Sequence, residues 1–169
     1  MFEVKGVRNM APFASDEAIS RMVETYSSML LRLACTRLTD PADAEDAVQE
    51  VFLRLVDRQI VFRDAGHEKA WLIRATLHRA SDIRRAAERR NVPLEEAALS
   101  AAPAGDGELL TAVRALPEKY GAVLHLYYYE GYATGEIAAI LGRSPNTVRS
   151  QLARGRALLR DAWKGAEEL

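Results

Sequence analysis

The chain has 169 residues, 49% hydrophobic and 28% charged, a globular balance that excludes a disordered or low-complexity protein. Its 23 basic and 24 acidic residues leave a formal net charge of -1, so bulk charge is silent about nucleic acid and only its placement can inform. The one cysteine, Cys35, excludes a disulfide framework and a multi-cysteine zinc site. Among Leu31, Leu33 and Ala34 it reads as a buried structural thiol.

Residues 1–15, "MFEVKGVRNMAPFAS", lack the continuous apolar stretch of a secretory signal and are expected to be a disordered leader. No apolar run approaches the roughly 20 residues that cross a bilayer. A cytoplasmic protein without membrane insertion is expected. Ser15 then caps a helix with Ile19, Met22, Val23, Tyr26, Leu30 and Leu33 at helical spacing. Asp40-Pro41 supplies an N-cap and first-turn proline for a second helix, whose apolar stripe is Ala44, Ala47, Val48, Val51, Phe52 and Leu55. A third helix spans about Glu68 to Glu88, with Ala70, Ile73, Leu77 and Ala80 facing inward.

After Arg90 the character changes. Residues 91–107, "NVPLEEAALSAAPAGDG", carry two prolines and two glycines and read as a flexible linker. A second helical block occupies 108–165: Glu108–Leu116, Pro117–Tyr129, Thr134–Leu141, and a last helix opened by Ser144-Pro145 that reaches about Trp163. The tyrosines of "LYYY", Leu126–Tyr129, are expected mostly to pack inside a continuous helix. No alternating strand pattern competes, so the expected fold is all-α: two small helical domains, 16–90 and 108–165, on a tether.

Charge is sorted along this chain. Leu38 to Asp57 holds six acids and one base, Ile60 to Arg90 eight bases and four acids, and Gly142 to Arg160 five arginines and no acid. Asp43, Asp46 and Glu50 recur at i, i+3 and i+7 on one side of the second helix. Arg74, His78, Ser81 and Arg85 form a row on the third, after Trp71, that suits a phosphate track. On spacing alone the acidic row reads first as a solvated surface.

In "EIAAILGRSPNTVRSQLARGRALLR" a short helix, a glycine turn and a longer capped helix have the layout of a helix-turn-helix. Ile137, Ile140 and Leu141 would pack on Val148, Leu152 and Leu159. That leaves Asn146, Arg149, Ser150, Ala153 and Arg154 outward, early in a helix whose first residues reach base edges in a major groove. A basic helix that binds nothing stays open as the alternative. No Glu-x-x-His pair, glycine-rich phosphate loop or nucleophile turn occurs, so neither catalysis, a cofactor nor a metal is expected.

"LTDPADAEDAVQEVFLRL", "AWLIRATLHRASDIRR" and "LPEKYGAVLHLYYYEGYATGEIAAILGRSPNTVRSQLARGRALLR" resemble, in order, segments of bacterial sigma-70 initiation factors, and more narrowly their extracytoplasmic-function group. The resemblance implies that 16–90 is region 2, which binds the clamp helices of the largest RNA polymerase subunit and the −10 element. It implies that 108–165 is region 4, which binds the polymerase flap and reads the −35 duplex. Carried over by position, Asp43, Asp46, Gln49, Glu50 and Phe52 are the polymerase contacts. Trp71, Arg74, His78, Ser81 and Arg85 are the −10 contacts. Arg143, Ser144, Asn146, Thr147, Arg149, Ser150, Arg154 and Arg156 are those to the −35 element. His78 stands where relatives often carry asparagine, which bears on the −10 preference. The family habit adds an anti-sigma partner. A linker of 17 residues extends at most about 60 Å, which with the lobes spans elements two to three turns apart at about 34 Å per turn. The competing readings are a stand-alone helix-turn-helix regulator, which needs no acidic second helix, and an interaction protein that sequesters an anti-sigma partner.

Overall fold

The structure is a computed structural model that describes residues 15–90 and 107–167. The leader through residue 14 and the linker before Gly107 lie outside the described residues. Among the described residues there are seven α-helices and no strand: α1 Asp16–Cys35, α2 Pro41–Asp57, α3 Ala65–Arg89, α4 Gly107–Ala115, α5 Glu118–Leu124, α6 Thr134–Leu141 and α7 Pro145–Glu167. A π-helical turn, His125–Tyr129, extends α5.

The helix starts follow from side-chain oxygens that take up free amides. Ser15 Oγ accepts from the Ala18 amide at 3.3 Å, Asp40 Oδ1 from Ala42 at 2.8 Å and Asp64 Oδ1 from His67 at 2.7 Å. Asp64 explains why α3 begins at Ala65 rather than near Glu68. Gly142 ends α6 at φ +64°, a left-handed conformation that glycine adopts without a Cβ penalty. The Arg143 amide then reaches back to the Ala138 carbonyl at 2.9 Å, and Ser144 Oγ caps α7 at Thr147 N.

Helices α1, α2 and α3 pack around Leu30, Leu33, Ala44, Val51, Leu72 and Ile73, all buried. Val23, expected in the α1 stripe, is exposed, and Met29 is buried instead. Arg21 ties α1 to α3 by a two-pronged pair with the buried Glu68 (3.2 and 2.8 Å). In the second lobe α5, α6 and α7 enclose Val123, Leu124, Leu126, Ile137, Val148 and Leu152.

The π turn corrects the expected continuous helix. A hydrogen bond from residue 130 to the His125 carbonyl spans five residues instead of four (3.1 Å). That inserts an extra residue in the turn, so Tyr127 and Tyr128 no longer follow Val123 and Leu124 into the core. Leu126 is buried, while Tyr127, Tyr128 and Tyr129 are exposed.

The lobes are not held apart. Helix α6 packs against α3, and a single buried cluster runs from Leu30 and Leu77 through to Ile137 and Leu152. A polar clasp closes one side: Arg32 of α1 donates to both carboxylate oxygens of Glu130 (3.1 and 3.2 Å), and His125 Nε2 lies 3.0 Å from Glu130 Oε1. Beside it Lys69 Nζ sits 4.5 Å from the Tyr132 ring centre, and Arg114 Nε donates to the Cys35 carbonyl at 2.6 Å. Cys35 is half-buried rather than fully buried as expected, and burial pushes its thiol up.

Two outcomes check this packing. A Cβ at Gly155 of α7 would fall 2.9 Å from Leu124 Cδ1 and 3.3 Å from Tyr120 Cβ. Overpacking costs about 1–3 kcal/mol against a helix gain of up to about 1 kcal/mol, so Gly155→Ala lowers the melting temperature. Gly135→Ala, with nothing within 4 Å, leaves it equal or raised. The second concerns Glu130. Burial pushes its carboxyl up, but the His125 hydrogen bond and Arg32 outweigh this and hold it below the ordinary 4.5. A depressed carboxyl contributes stability above the unfolded value and loses it as pH falls through the folded one. The melting difference between wild type and Glu130→Gln is therefore expected to shrink as pH falls below 4.5.

Candidate nucleic-acid and protein interfaces

On α2 the acidic row faces outward. Asp46, Gln49 and Glu50 are exposed, and Asp43 is half-buried, its carboxyl pushed up by burial and then by Asp40 and Asp46. Glu50 is engaged within the molecule, accepting from Arg79 Nη2 of α3 at 2.9 Å. Phe52 is half-buried against the core. Two residues that sequence reasoning passed over complete this face: Leu53 is 60% exposed and Val56 40%. Their signal was present, since both fall outside the α2 stripe. Exposed apolar side chains beside a row of acids mark a protein-binding surface better than acids alone.

The α3 row divides. Arg74, His78 and Arg85 are exposed, with His78 Nδ1 3.3 Å from Asp82 Oδ2. Trp71 is half-buried and packs on Phe62 at 5.8 Å between ring centres. Ser81 does not share the outward face expected of it, being only 3% exposed. Its Oγ accepts from Arg37 Nη1 at 2.7 Å and lies 3.0 Å from Glu118 Oε2. The reason is tertiary: the second lobe seats on this part of α3, and Ser81 is under it.

Helices α6 and α7, joined at Gly142, form the helix-turn-helix. Asn146, Arg149, Ser150, Arg154 and Arg156 are exposed along the start and one side of α7. Arg149 Nη2 pairs with Asn146 Oδ1, and Arg156 Nη1 donates to Tyr128 Oη at 3.2 Å. Tyr128 thus joins this surface, placed there by the π turn. Ser144 and Thr147 are exposed, but their hydroxyls lie 2.8 Å apart in the cap of α7. Arg143 departs from the group. It is half-buried, donates to Gln151 Oε1 at 2.8 Å and faces α3 across the lobe boundary.

The arrangement offers two surfaces of opposite character. The α2 face, acidic and apolar, suits a protein with basic or mixed chemistry. The start of α7 presents guanidinium groups on a helix narrow enough for a major groove, and arginine suits both guanine edges and phosphates. Among the described residues no cluster of histidine, cysteine and carboxylate side chains could hold a metal ion, and no helix is long and apolar enough to cross a membrane.

Residues 22–90 match the family described as Sigma-70 region 2, and residues 106–159 that described as Sigma-70, region 4. The chain is 32% identical over 151 residues to the ECF RNA polymerase sigma factor SigL of Mycobacterium tuberculosis, covering 82% of this chain and 85% of that protein. It is 30% identical over 160 residues to the probable RNA polymerase sigma factor RfaY of Xanthomonas campestris, covering 86% of this chain but only 40% of that relative. The fold resembles that of the sigma factor RpoE in its co-crystal structure with the anti-sigma factor NepR from Bartonella quintana. The TM-score is 0.70 at 21% identity, over 86% of this chain and 96% of that one.

Proposed function

The chain belongs to the sigma-70 family of bacterial initiation factors, in its extracytoplasmic-function group, and we propose that its two lobes carry separate grips on polymerase and promoter. It is a sigma factor, a member of a family of non-enzymatic initiation factors, that binds core RNA polymerase and directs initiation at chosen promoters. The finer assignment is ours: residues 16–90 act as region 2 and 108–165 as region 4. The observation that carries it is the placement of charge. Exposed acids beside Leu53 and Val56 occupy α2, and exposed arginines occupy the start of α7, in a chain of net charge -1.

In this reading Asp46, Gln49, Glu50 and Leu53 seat on the polymerase clamp helices, with Asp43 and Phe52 shaping the edge. Arg74, His78 and Arg85 meet the −10 strand beside Trp71. Asn146, Arg149, Ser150, Arg154 and Arg156 meet the −35 duplex, with Ser144 and Thr147 fixing the start of the helix. Ser81 and Arg143 lie at the lobe boundary in this structure and join the DNA contacts only when the lobes part. Two weak readers on one chain act together through effective concentration. Reaching two elements several helical turns apart requires the lobes to part, which frees the row on α3. An anti-sigma protein is a further proposed partner, in keeping with the Bartonella neighbour, and a cytoplasmic location is proposed with it. The stand-alone regulator reading leaves the acidic and apolar face of α2 without a use.

Run-off transcription with purified core polymerase on a randomised promoter library tests the activity and reports the recognised sequence; no initiation above core alone would refute it. Arg149→Ala and Arg154→Ala are each expected to weaken −35 duplex binding by about 1–3 kcal/mol where a base contact is lost, measured by anisotropy at fixed salt. Asp46→Lys with Gln49→Lys is expected to abolish competition for core enzyme while circular dichroism stays native. Both side chains are exposed, whereas reversing Glu50 would also break its pair with Arg79.

A further inference from the structure

Between the lobes lies a cavity of about 270 Å³, where the middle of α3 faces the turn of the helix-turn-helix. Arg37, Arg74 and Arg85 reach it from the first lobe and Arg143 from the second, with Ser81 and Glu118 on its walls. Among the described residues that line it, Glu118 alone is acidic. That carboxylate is already divided. Oε2 lies 3.0 Å from Ser81 Oγ and 3.9 Å from Arg85 Nη2, and Oε1 lies 3.9 Å from Arg84 Nη1. Asp82 leans on Arg85 at 3.7 Å. Neither acid reaches Arg74, whose Nη1 sits 3.6 Å from where a Cβ on Gly142 would be, at the lobe boundary.

Arg37 is the most confined of the four. Nη1 donates to the Leu77 carbonyl and to Ser81, while Nε is buried without a hydrogen-bond partner. Burial pushes its guanidinium down to about 10; Glu118 pulls it back up, and Arg143, Arg84 and Arg85 push it further down. Burial likewise lowers Arg143. Guanidinium groups brought together out of water repel one another unless a charge of opposite sign is shared among them.

We infer that this cavity binds a small phosphate-bearing anion, clamped by Arg74 and Arg37 of the first lobe and Arg143 of the second. A planar guanidinium presents paired donors that match phosphate oxygens, and groups arriving from several directions suit a multiply charged tetrahedral anion better than a single carboxylate. The volume lies near the lower end of ordinary small-molecule sites, which run from about 300 Å³. Because its ligands come from both lobes, the anion favours the packed arrangement over the parted one by mass action. Arg74 and Arg85 also belong to the row assigned to the −10 strand, so anion and strand compete where both readings hold. The site itself stands on the free chain alone, and its test contains neither DNA nor polymerase.

The test is calorimetric titration of the full chain with inorganic pyrophosphate at fixed ionic strength without divalent cations. Saturable one-site binding is expected. Arg74→Ala with Arg143→Ala should weaken it by about tenfold or more, the loss of one charge-assisted hydrogen bond or more. Arg58→Ala, an exposed arginine at the end of α2, should change it by less than about twofold. Glu118→Gln keeps a hydrogen-bonding group and removes the competing charge, so it should tighten binding severalfold and raise the melting temperature gained on adding pyrophosphate. Absence of saturation, equal losses in Arg58→Ala and the double variant, or weaker binding in Glu118→Gln would each overturn the site. The last variant keeps the proposal decidable even if the double variant does not fold.

Discussion

The seating of α6 on α3 is the contact on which the rest depends. Each lobe alone is small, and a chain of about 60 residues buries only about 60% of the surface that it exposes unfolded. Joining the cores through Leu77, Ile137 and Ile140 lets each lobe use the other's apolar surface. Because apolar burial is non-directional, the polar pairs around this contact set the orientation. The clasp of Arg32, Glu130 and His125 fixes one side, and Glu118 with Ser81 and Arg37 fixes the other. The π turn makes the first of these possible. Its extra residue carries Glu130 onto the His125 carbonyl and turns the tyrosines outward.

That docking also decides which charges are available. The α2 face and the start of α7 lie away from the boundary and stay exposed, so a chain of nearly zero net charge presents one acidic and one basic surface. The row on α3 lies partly at the boundary. Arg74, His78 and Arg85 keep solvent access, while Ser81 is enclosed and Arg143 is drawn in from the opposite lobe. The arginines that would track a nucleic-acid backbone when the lobes part are thus gathered around a cavity when they meet.

Much of the local structure was legible in the residues. Ser15, Asp40-Pro41, Gly142 and Ser144-Pro145 announce helix boundaries through amides and carbonyls that need partners within a few positions. The stripes of α2 and α6 announce which faces are buried. The outward placement of Asp46, Arg149 and Arg154 followed from that periodicity, because a helix with one face in the core must turn the other to solvent. Asp64 was an available cap that moved the start of α3. Leu53 and Val56 lay outside the α2 stripe and could have been read as exposed.

The amino-acid sequence by itself determined most of the helices, the caps at Ser15, Asp40 and Ser144, the apolar stripes of α2 and α6 and the sorting of charge, since each depends on neighbours within about one turn. Only the tertiary structure decided that the lobes touch, that Ser81 and Arg143 face inward, and that Tyr128 joins the basic surface. Those outcomes turn on which apolar face meets which across tens of residues. Many such pairings satisfy the same periodicity, and they differ only in packing and in the charges they bring together.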